Sequence, residues 1–265
     1  MEFPTIYLQA AFLGVLEGVT EFLPVSSTGH LILAIDVLGF AAPPGKVFEV
    51  AVQVGAILAI MTVYFEKMWG LLTRWPHDKF ARQQIITIAL GFAPALGLGA
   101  LLHDYIKQVL FSPAVVASAL IVGGIAMLII EKFKPNARVS TTETITRRQG
   151  LIIGLGQCLA LVPGVSRSGA TIMTALLCGI ERKVATEFSF LLSVPTLLAA
   201  TVYDLYKNHT LLVSHDAAVI GVGLMFAFFS ALFVVKNLIA FVGRHGFAPF
   251  AWYRIVLGTV FLWLL

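Results

Sequence analysis

Charged residues are scarce in this chain of 265 residues. Only 12% are Asp, Glu, Lys or Arg, about half the roughly 25% found in soluble domains. Hydrophobic residues make up 58%, and the mean hydropathy is +0.92. We therefore expect a membrane protein. The net charge is +4, but basic residues in a membrane protein more often mark cytoplasmic loops than a nucleic-acid partner, so we expect no nucleic-acid binding.

Cysteines and early basic residues are also scarce. Cys158 and Cys178 are the only cysteines and lie in apolar surroundings, where a free cysteine usually behaves as a small hydrophobic residue. They indicate neither a disulfide framework nor a metal site. No Lys or Arg precedes Lys46, so the basic region that begins a signal peptide is missing. We expect the N-terminal segment to belong to the folded protein.

Long apolar runs without period-two alternation predict helices, because every backbone N–H and C=O in lipid must be bonded within the protein. A transmembrane helix needs about 20 predominantly apolar residues. Six segments meet this requirement, at about 47–65, 85–102, 114–130, 188–203, 217–241 and 247–265. The predicted fold class is all-α, a polytopic membrane protein with six transmembrane helices.

Two further regions each contain a polar turn between two short apolar arms. SSTGH at 26–30 interrupts the region 5–42, and SRSGAT at 166–171 interrupts the region 150–180. Irregular backbone is tolerated inside a membrane only where it lines a cavity or is buried in protein. Interrupted segments at corresponding places in two halves point to a site near the midplane. We predict that both regions are re-entrant helical hairpins.

The two halves of the chain match at one constant offset, which aligns the two polar turns and the first full spans behind them. The matching pairs are Gly14/Gly154, Ser26/Ser166, Gly29/Gly169, Gly39/Gly179, Phe48/Phe188, Val54/Val194, Leu58/Leu198, Ala59/Ala199 and Lys67/Lys207. Chance matching of apolar residues is the alternative. We interpret the pattern as an internal repeat within a single integral membrane domain, 1–265, with repeat 1 at about 1–131 and repeat 2 at about 148–265.

The loops divide into two sets of unequal positive charge if each hairpin returns to the side that it entered. The larger set holds Lys67, Arg74, Lys79, Arg82, Lys132, Lys134, Arg138, Arg147, Arg148, Arg182, Lys183, Lys236 and Arg244, and the smaller set holds Lys46, Lys107 and Lys207. Positive loops are retained in the cytoplasm. Both termini and the first hairpin's mouth are then outside, while the second hairpin enters from the cytoplasm. Three spans in each half predict an inverted repeat whose polar turns meet inside the bilayer.

Two acids, Glu17 and Glu21, lie one helical turn apart in the first apolar run, so a helix would place them on one face. A carboxylate inside a membrane is costly and usually functional. Two such carboxylates can hold a divalent cation, and Mg²⁺ is typically bound by one or two carboxylates plus substrate phosphates. The alternative is that one acid is protonated or lies at the water interface.

The first polar turn follows these acids with Ser26, Ser27, Thr28 and His30. Hydroxyls and backbone N–H groups at a helix N-terminus favour anions such as phosphate. Ser26 or Thr28 could instead be only a helix N-cap. His30 is a candidate general base, general acid or nucleophile, since imidazole titrates near physiological pH.

The second polar turn contains a cation, Arg167, among the hydroxyls of Ser166, Ser168 and Thr171. A guanidinium presents a fork of donors that suits phosphate oxygens. Arg167 could instead neutralise one of the two acids in a buried pair, and the two roles can coexist. Four other polar residues in or beside spans are expected to be supporting or interfacial rather than catalytic. They are Glu49, Gln53, Glu187 and Arg254.

Four segments carry a family resemblance: LGVLEGVTEFLPVSSTGHLIL at 13–33, FEVAVQVGAILA at 48–59, PGVSRSGAT at 163–171 and EFSFLLSVP at 187–195. They closely resemble the bacterial undecaprenyl-diphosphatases, also called bacitracin-resistance proteins, and the match covers essentially the whole chain. The resemblance implies a bacterial inner-membrane enzyme that removes the terminal phosphate of undecaprenyl diphosphate, its polyprenyl lipid substrate. It also implies a site facing the periplasmic side and dependence on Mg²⁺ or Ca²⁺.

The resemblance also assigns roles by motif position. Glu17 and Glu21 would be the acidic metal and site residues, and Ser27 and His30 the catalytic pair. The pyrophosphate-binding turn would comprise Ser166, Arg167, Ser168 and Thr171. In the expected mechanism Ser27 attacks the terminal phosphorus with His30 as base, while His30 as nucleophile, or Ser26 in place of Ser27, remains open.

Another functional class fits part of the pattern. An inverted repeat around a midplane anion site also describes secondary transporters, so a flippase for a phosphorylated polyprenyl lipid is the alternative function. Chemistry is favoured, because transport has no evident need for a hydroxyl beside a histidine and paired acids. The sequence leaves the oligomeric state open, with a homodimer among the options.

Overall fold

The computed structural model describes residues 3–40, 47–110, 112–208 and 217–264, and their regular structure is helical apart from one isolated bridge between Val139 and Ile180. The α-helices are α1 (Phe3–Thr20), α2 (Ser27–Leu38), α3 (Val47–Val63), α4 (Phe65–Arg74), α5 (Lys79–Tyr105), α6 (Pro113–Phe133), α7 (Arg147–Gln157), α8 (Arg167–Leu177), α9 (Arg182–Asn208), α10 (Ala217–His245) and α11 (Ala248–Leu264). A π-helical turn covers Ile106–Leu110, and 3₁₀ turns cover Thr142–Thr144 and Cys158–Leu161. The all-α prediction is confirmed.

Four of the described helices are long and apolar enough to cross a membrane: Lys79–Leu102, Pro113–Phe133, Arg182–Tyr203 and Ala217–His245. A fifth span results if α3 and α4, which are bent by 70° at Tyr64, are counted together. The sixth predicted span is α11, whose 17 residues are at the lower end of what a membrane crossing needs. The protein is thus a multi-pass membrane protein.

The shorter apolar helices lie where the two hairpins were predicted. In the first region, α1 and α2 are separated by the turn at 21–26, and in the second region, α7 and α8 are separated by a 3₁₀ turn and the loop at 162–166. The polar run of each region therefore begins the second arm of a broken helical segment.

The helices of one half pack on those of the other half. Helix α1 packs against α10 and α7 packs against α5, while α3 contacts α9 and α6 contacts α11. Glycines allow two of these close approaches, because a Cβ on Gly14 would lie 2.2 Å from the carbonyl oxygen of Gly223, and one on Gly154 would lie 2.6 Å from that of Gly91. Small residues permit such backbone contact between membrane helices. Gly14 and Gly154 are one of the matched pairs of the repeat.

The bent pair ends in an amphipathic helix, α4. It exposes Phe65, Trp69 and Leu72 and is tied to the protein by Lys67, whose Nζ lies 2.7 Å from Thr142 Oγ1 and 2.9 Å from Glu187 Oε1. A helix with one apolar and one polar face suits the boundary between lipid and water. The predicted span at 47–65 is therefore followed by the short helix α4, and not by an irregular loop.

Candidate active site

The two polar turns share an uncommon backbone conformation. Ser26 has φ 73° and Ser166 has φ 75°, and these are the positive-φ non-glycine residues of the described chain. Such a conformation costs about 1–3 kcal/mol and persists at functional sites when the surroundings enforce it. Each serine is also a helix N-cap, since its Oγ accepts from the backbone N–H of Gly29 or Gly169. The N-cap expectation for Ser26 is confirmed.

Glu21 joins the two turns. One of its carboxylate oxygens accepts from the Ser27 hydroxyl at 2.5 Å, and the other accepts from Arg167 Nη2 at 2.8 Å. All three side chains are largely buried. The expectation that Arg167 pairs with an intramembrane acid is thus confirmed, and Glu21 is that acid. The hydroxyl of Ser27, the carboxylate of Glu21 and the guanidinium of Arg167 are therefore connected by hydrogen bonds.

Arg167 keeps donors that Glu21 does not use. Its Nη1 donates to the Ser189 carbonyl oxygen at 3.2 Å, while its Nε is buried without a hydrogen-bond partner in the described part of the protein. A buried donor without a partner is costly. The guanidinium therefore has a donor left for a ligand, and its binding of an anionic group stays a prediction.

Glu17 continues the acidic face. The backbone N–H of Glu21 donates to the Glu17 carbonyl oxygen at 2.8 Å, so the helical spacing extends across both acids and their predicted common face is supported. Glu17 is 1% exposed, and its Oε2 has no hydrogen-bond partner among the described residues. Glu17 does not line the polar cavity between the two turns, but a carboxylate oxygen without a partner is the type of ligand that a hard divalent cation uses.

His30 contacts other partners than the predicted mechanism requires. Its Nδ1 lies 2.7 Å from the Ser26 carbonyl oxygen, and its Nε2 lies 2.7 Å from the Tyr253 hydroxyl. A carbonyl can only accept, so Nδ1 carries a proton, and in a neutral ring Nε2 accepts from Tyr253. The Ser27 hydroxyl bonds to Glu21, so the expected pairing of Ser27 with His30 as its base is not what this geometry presents. The imidazole instead contacts the carbonyl of its own N-cap residue, Ser26, one helical turn back.

Two predicted substrate ligands serve the turn itself. Ser168 and Thr171 are each 1% exposed. Ser168 Oγ donates to the Leu23 carbonyl oxygen at 2.8 Å, and Thr171 Oγ1 lies 2.7 Å from Ser189 Oγ. Neither side chain lines the cavity described next. Their hydroxyls connect the second turn to the first turn and to α9. Because both side chains are buried, they bond to protein groups, and these partners could not be identified from the local sequence.

A polar cavity of about 170 Å³ lies between the two turns. Its lining residues are Glu21, Ser26, Ser27, Thr28, Gln53, Ala160, Val162, Pro163, Gly164, Ser166, Arg167 and Leu197. The structure therefore brings Ser26, Ser27 and Thr28 to the same space as Ser166 and Arg167, although the two groups come from opposite halves of the chain. Gln53, which the sequence left as a supporting residue, lines this cavity as well.

A larger apolar cavity of about 630 Å³ adjoins the polar one and shares Ala160 and Arg167 with it. Its other lining residues are Phe92, Ala95, Leu96, Gly99, Ala100, Ile106, Gln157, Leu161, Thr196, Ala199, Ala200, Val202, Tyr203 and Tyr206. A charged pocket that continues into an apolar pocket suits a ligand with an anionic head and a hydrocarbon tail.

Two residues of α11 support the site: Arg254, which the sequence left as a supporting or interfacial residue, and Tyr253, which was not predicted. Tyr253 contacts His30, and Arg254, 1% exposed, donates to backbone carbonyls beside both turns. A charged residue inside a span signals function, which is why Arg254 was named from the sequence. Tyr253 carries no such signal, because tyrosine is common in membrane helices near the interface.

Known proteins resemble this chain along nearly its whole length. The family model for the bacitracin resistance protein BacA matches residues 10–260. Undecaprenyl-diphosphatase 2 of Paramagnetospirillum magneticum is 51% identical over 96% of this chain and 97% of that relative. The undecaprenyl-diphosphatase of Parvibaculum lavamentivorans is 51% identical over 97% of this chain and 96% of the relative, and that of Caulobacter vibrioides is 50% identical over 98% and 97%. The chain therefore belongs to the undecaprenyl-diphosphatase family of bacitracin-resistance proteins.

Proposed function

We propose that this protein is an undecaprenyl-diphosphatase that hydrolyses the terminal phosphate of undecaprenyl diphosphate to give undecaprenyl phosphate and inorganic phosphate. Relatives of that name match nearly the full chain at about half identity. The observation that carries the chemistry is Glu21, which accepts from both Ser27 and Arg167 beside a polar cavity. Phosphoryl transfer depends mainly on positioning and electrostatics, and this row of groups supplies both.

In the proposed first step, the Ser27 oxygen attacks the terminal phosphorus. Its proton passes to Glu21, and the bond between that phosphorus and the bridging oxygen breaks, so undecaprenyl phosphate leaves. Water then attacks the phosphoseryl phosphorus, the bond between that phosphorus and the Ser27 oxygen breaks, and Glu21 returns its proton to the Ser27 oxygen. The protons of the attacking water leave with inorganic phosphate or pass to solvent. Accepting the proton neutralises Glu21, which loosens its ion pair with Arg167 and leaves the guanidinium to bind the charged phosphoryl oxygens.

His30 supports the first turn in this scheme. Its Nδ1–H donates to the Ser26 carbonyl, next to the strained φ of that residue, and so holds the nucleophile's turn in shape. Its predicted roles as base or nucleophile require Nε2 to leave Tyr253 when the substrate binds. Hydrogen bonds at active sites commonly rearrange in this way on substrate binding.

A divalent cation, Mg²⁺ or Ca²⁺, fits the donor set. The described residues contain no group of three or more His, Cys, Asp or Glu side chains able to hold a metal, but Mg²⁺ is usually bound by one or two carboxylates plus substrate phosphates. Glu17, with its orphaned oxygen, and Glu21 would hold the ion. When bound, it would offset the negative charge of the diphosphate.

The prenyl chain is proposed to occupy the apolar cavity between α5, the 3₁₀ turn after α7, and α9. Arg167 lies at the junction of the polar and apolar cavities, where the diphosphate meets its tail. Burial of each methylene contributes about 0.8 kcal/mol, so this cavity would supply binding free energy while the polar turns supply chemistry.

The proposed topology has six transmembrane helices and two re-entrant hairpins in an inverted repeat. Two observations support it. Ser26 and Ser166, at equivalent positions, both have a positive φ, and the first helix of each region packs against a helix of the other half, α1 on α10 and α7 on α5. The charge difference between the loop sets favours termini and active site on the outer, periplasmic side of a bacterial inner membrane. Of the smaller loop set, Lys46 lies outside the described residues. Reporter fusions after residues 75 and 140 should remain cytoplasmic.

The test is phosphate release from undecaprenyl diphosphate by protein purified in detergent, with and without EDTA. The parent should be active and metal-dependent, and Ser27→Ala and Arg167→Ala should lose activity by orders of magnitude while staying folded. Lipid translocation in vesicles, measured on the same preparations, distinguishes a flippase from a phosphatase. Translocation without phosphate release would overturn the proposed function.

A further inference from the structure

Arg254 is the bulkiest of the fully buried side chains in the described chain, at 1% exposure. Its Nη1 donates to the Pro24 carbonyl oxygen at 3.2 Å, and its Nη2 donates to the Gly164 carbonyl oxygen at 3.0 Å. Nη2 also donates to the Ala119 carbonyl oxygen of α6 at 3.2 Å. One guanidinium on α11 therefore contacts the backbone just before each polar turn.

The two turn carbonyls are equivalent positions of the repeat. Pro24 and Gly164 are separated by the same offset as Ser26 and Ser166, and each precedes by two positions the serine with positive φ. The fork of Arg254 thus bridges matching backbone atoms of the two halves. On one side of this bridge are Glu21 and Ser27, and on the other is Arg167.

Contact with both turn carbonyls requires the planar guanidinium of an arginine, held at a fixed position. Its planar donors point in fixed directions, whereas a lysine ammonium is a compact charge on a flexible stem and cannot reproduce a two-sided fork. The backbone of α6 leaves room for it at Gly123, because a Cβ there would lie 2.1 Å from Nη2 and 2.8 Å from Cζ. An intramembrane charge is costly unless it is paired or hydrogen-bonded, and the Nε of Arg254 has no hydrogen-bond partner among the described residues. Removal of any carbonyl contact of Nη1 or Nη2 is therefore unfavourable.

We infer that Arg254 is a positioning residue that sets the separation of the two polar turns, and through it the distance from the Ser27 oxygen to a phosphoryl group bound by Arg167. This inference rests on the proposed function for its kinetic consequence. Arg254 does not line the polar cavity, so it acts through the turns and not by touching the substrate.

The kinetic consequence is a loss in kcat with little change in KM. The apolar cavity that would bind the tail lies on α5 and α9 and does not include Arg254. Misplacement of reacting groups by about 1 Å can lower the rate about 100-fold. We expect a fall in kcat of about that size in Arg254→Lys and Arg254→Met, with KM within about threefold of the parent.

The lysine variant separates positioning from charge. If Arg254 contributed only its positive charge, Arg254→Lys would keep near-parent kcat and Arg254→Met alone would lose it.

Gly123→Ala provides a second test, since it keeps Arg254 and displaces its guanidinium. Its matched control is Gly221→Ala, because a Cβ at Gly221 meets nothing within 4 Å. Gly123→Ala should lower kcat about tenfold or more, and Gly221→Ala should not.

A distance measurement tests the inference without activity. Val37 on α2 and Leu177 on α8 are exposed, at 81% and 54%, and occupy equivalent positions of the repeat. Spin labels at these positions, in a Cys158→Ser, Cys178→Ser background, report the separation of the arms that follow the two turns. Gly123→Ala and Arg254→Lys should shift or broaden the distance distribution, and Gly221→Ala should leave it unchanged.

The outcomes are distinct. A parent without phosphatase activity contradicts the proposed function, while the label distances still test Arg254. An active parent whose Arg254→Lys and Gly123→Ala variants keep both kcat and the parent distance distribution overturns the positioning role. If Arg254→Lys does not fold, Gly123→Ala decides the question alone.

Discussion

The Ser27 hydroxyl donates to the Glu21 carboxylate at 2.5 Å, so the first residue of α2 contacts the residue that follows α1, six positions earlier. Arg167 contacts the other oxygen of the same carboxylate. In the proposed mechanism this carboxylate removes the Ser27 proton, and it holds Arg167 until the substrate binds.

Glu21→Gln tests this relationship. The amide keeps the size of the side chain but cannot accept the Ser27 proton, so kcat should fall about 10²–10⁴-fold, the usual contribution of a general base. Phosphate release under substrate saturation gives kcat. Glu66→Gln, an exposed acid of α4, is the matched control and should be unaffected. Near-parent kcat in Glu21→Gln would exclude Glu21 as the base.

Tyr253→Phe should lower kcat about tenfold. The substitution removes the hydroxyl that bonds His30 Nε2 and keeps the ring, so the imidazole loses one of the two contacts that hold it. Because Tyr253 would act through His30, the effect should vanish in a His30→Ala background. A double-mutant cycle on kcat measures this coupling, and fully additive effects would contradict it.

Ser168→Ala should affect stability more than substrate binding. The Leu23 carbonyl would lose its donor, at a cost of about 1–3 kcal/mol for a buried group left without a partner. Thr28→Ala is the contrasting variant, since Thr28 is exposed and lines the polar cavity. We expect a lower unfolding temperature with unchanged KM for Ser168→Ala, and a raised KM with unchanged unfolding temperature for Thr28→Ala. The reverse pattern would restore Ser168 as a substrate ligand.

Ala199→Phe should discriminate between substrates by tail length. Ala199 lines the apolar cavity, and a phenyl group there would occupy space proposed for the prenyl chain. KM for undecaprenyl diphosphate should rise about tenfold or more, while KM for a short-chain polyprenyl diphosphate should change less. Ala126→Phe, on the exposed side of α6, controls for added bulk. Equal changes for long and short substrates would argue against a tail in this cavity.

Glu17→Gln should raise the divalent-cation concentration needed for half-maximal activity by about tenfold or more. The variant removes the charge of the carboxylate whose Oε2 lacks a hydrogen-bond partner in the described part of the chain. A titration of Mg²⁺ into EDTA-treated protein measures this change. An unaltered cation requirement, with normal folding, would remove Glu17 from the proposed metal set.

Much of the helical architecture could be predicted from local patterns. The apolar runs at 85–102, 114–130, 188–203 and 217–241 all lie within helices of the structure, because lipid forces backbone groups to bond within their own segment. The polar breaks at 26–30 and 166–171 could also be recognised, because polar residues inside an apolar run are costly in lipid unless they have hydrogen-bond partners or a functional role. The bend at Tyr64 was not visible, because the sequence on both sides of it is typical of a helix.

The site was only partly predictable. The turns, both acids and Arg167 were found from their polarity, and the resemblance added roles. The partner of Ser27 was not found, because the hydrogen-bond geometry of a turn depends on the φ of Ser26, which residue type does not indicate for serine. Ser168 and Thr171 were predicted as substrate ligands. The sequence cannot distinguish a hydroxyl that supports a turn from one that binds phosphate, because both roles use the same residue types.

By itself, the amino-acid sequence determined that this chain is an all-helical membrane protein whose apolar segments are broken by two polar turns, because hydropathy and helix breaking are properties of neighbouring residues. Only the tertiary structure decided which groups meet. The Glu21–Arg167 pair spans 146 residues, the His30–Tyr253 contact spans 223, and the Arg254 contact with Pro24 spans 230. Such contacts depend on how helices from the two halves pack, and short-range patterns carry no information about that packing.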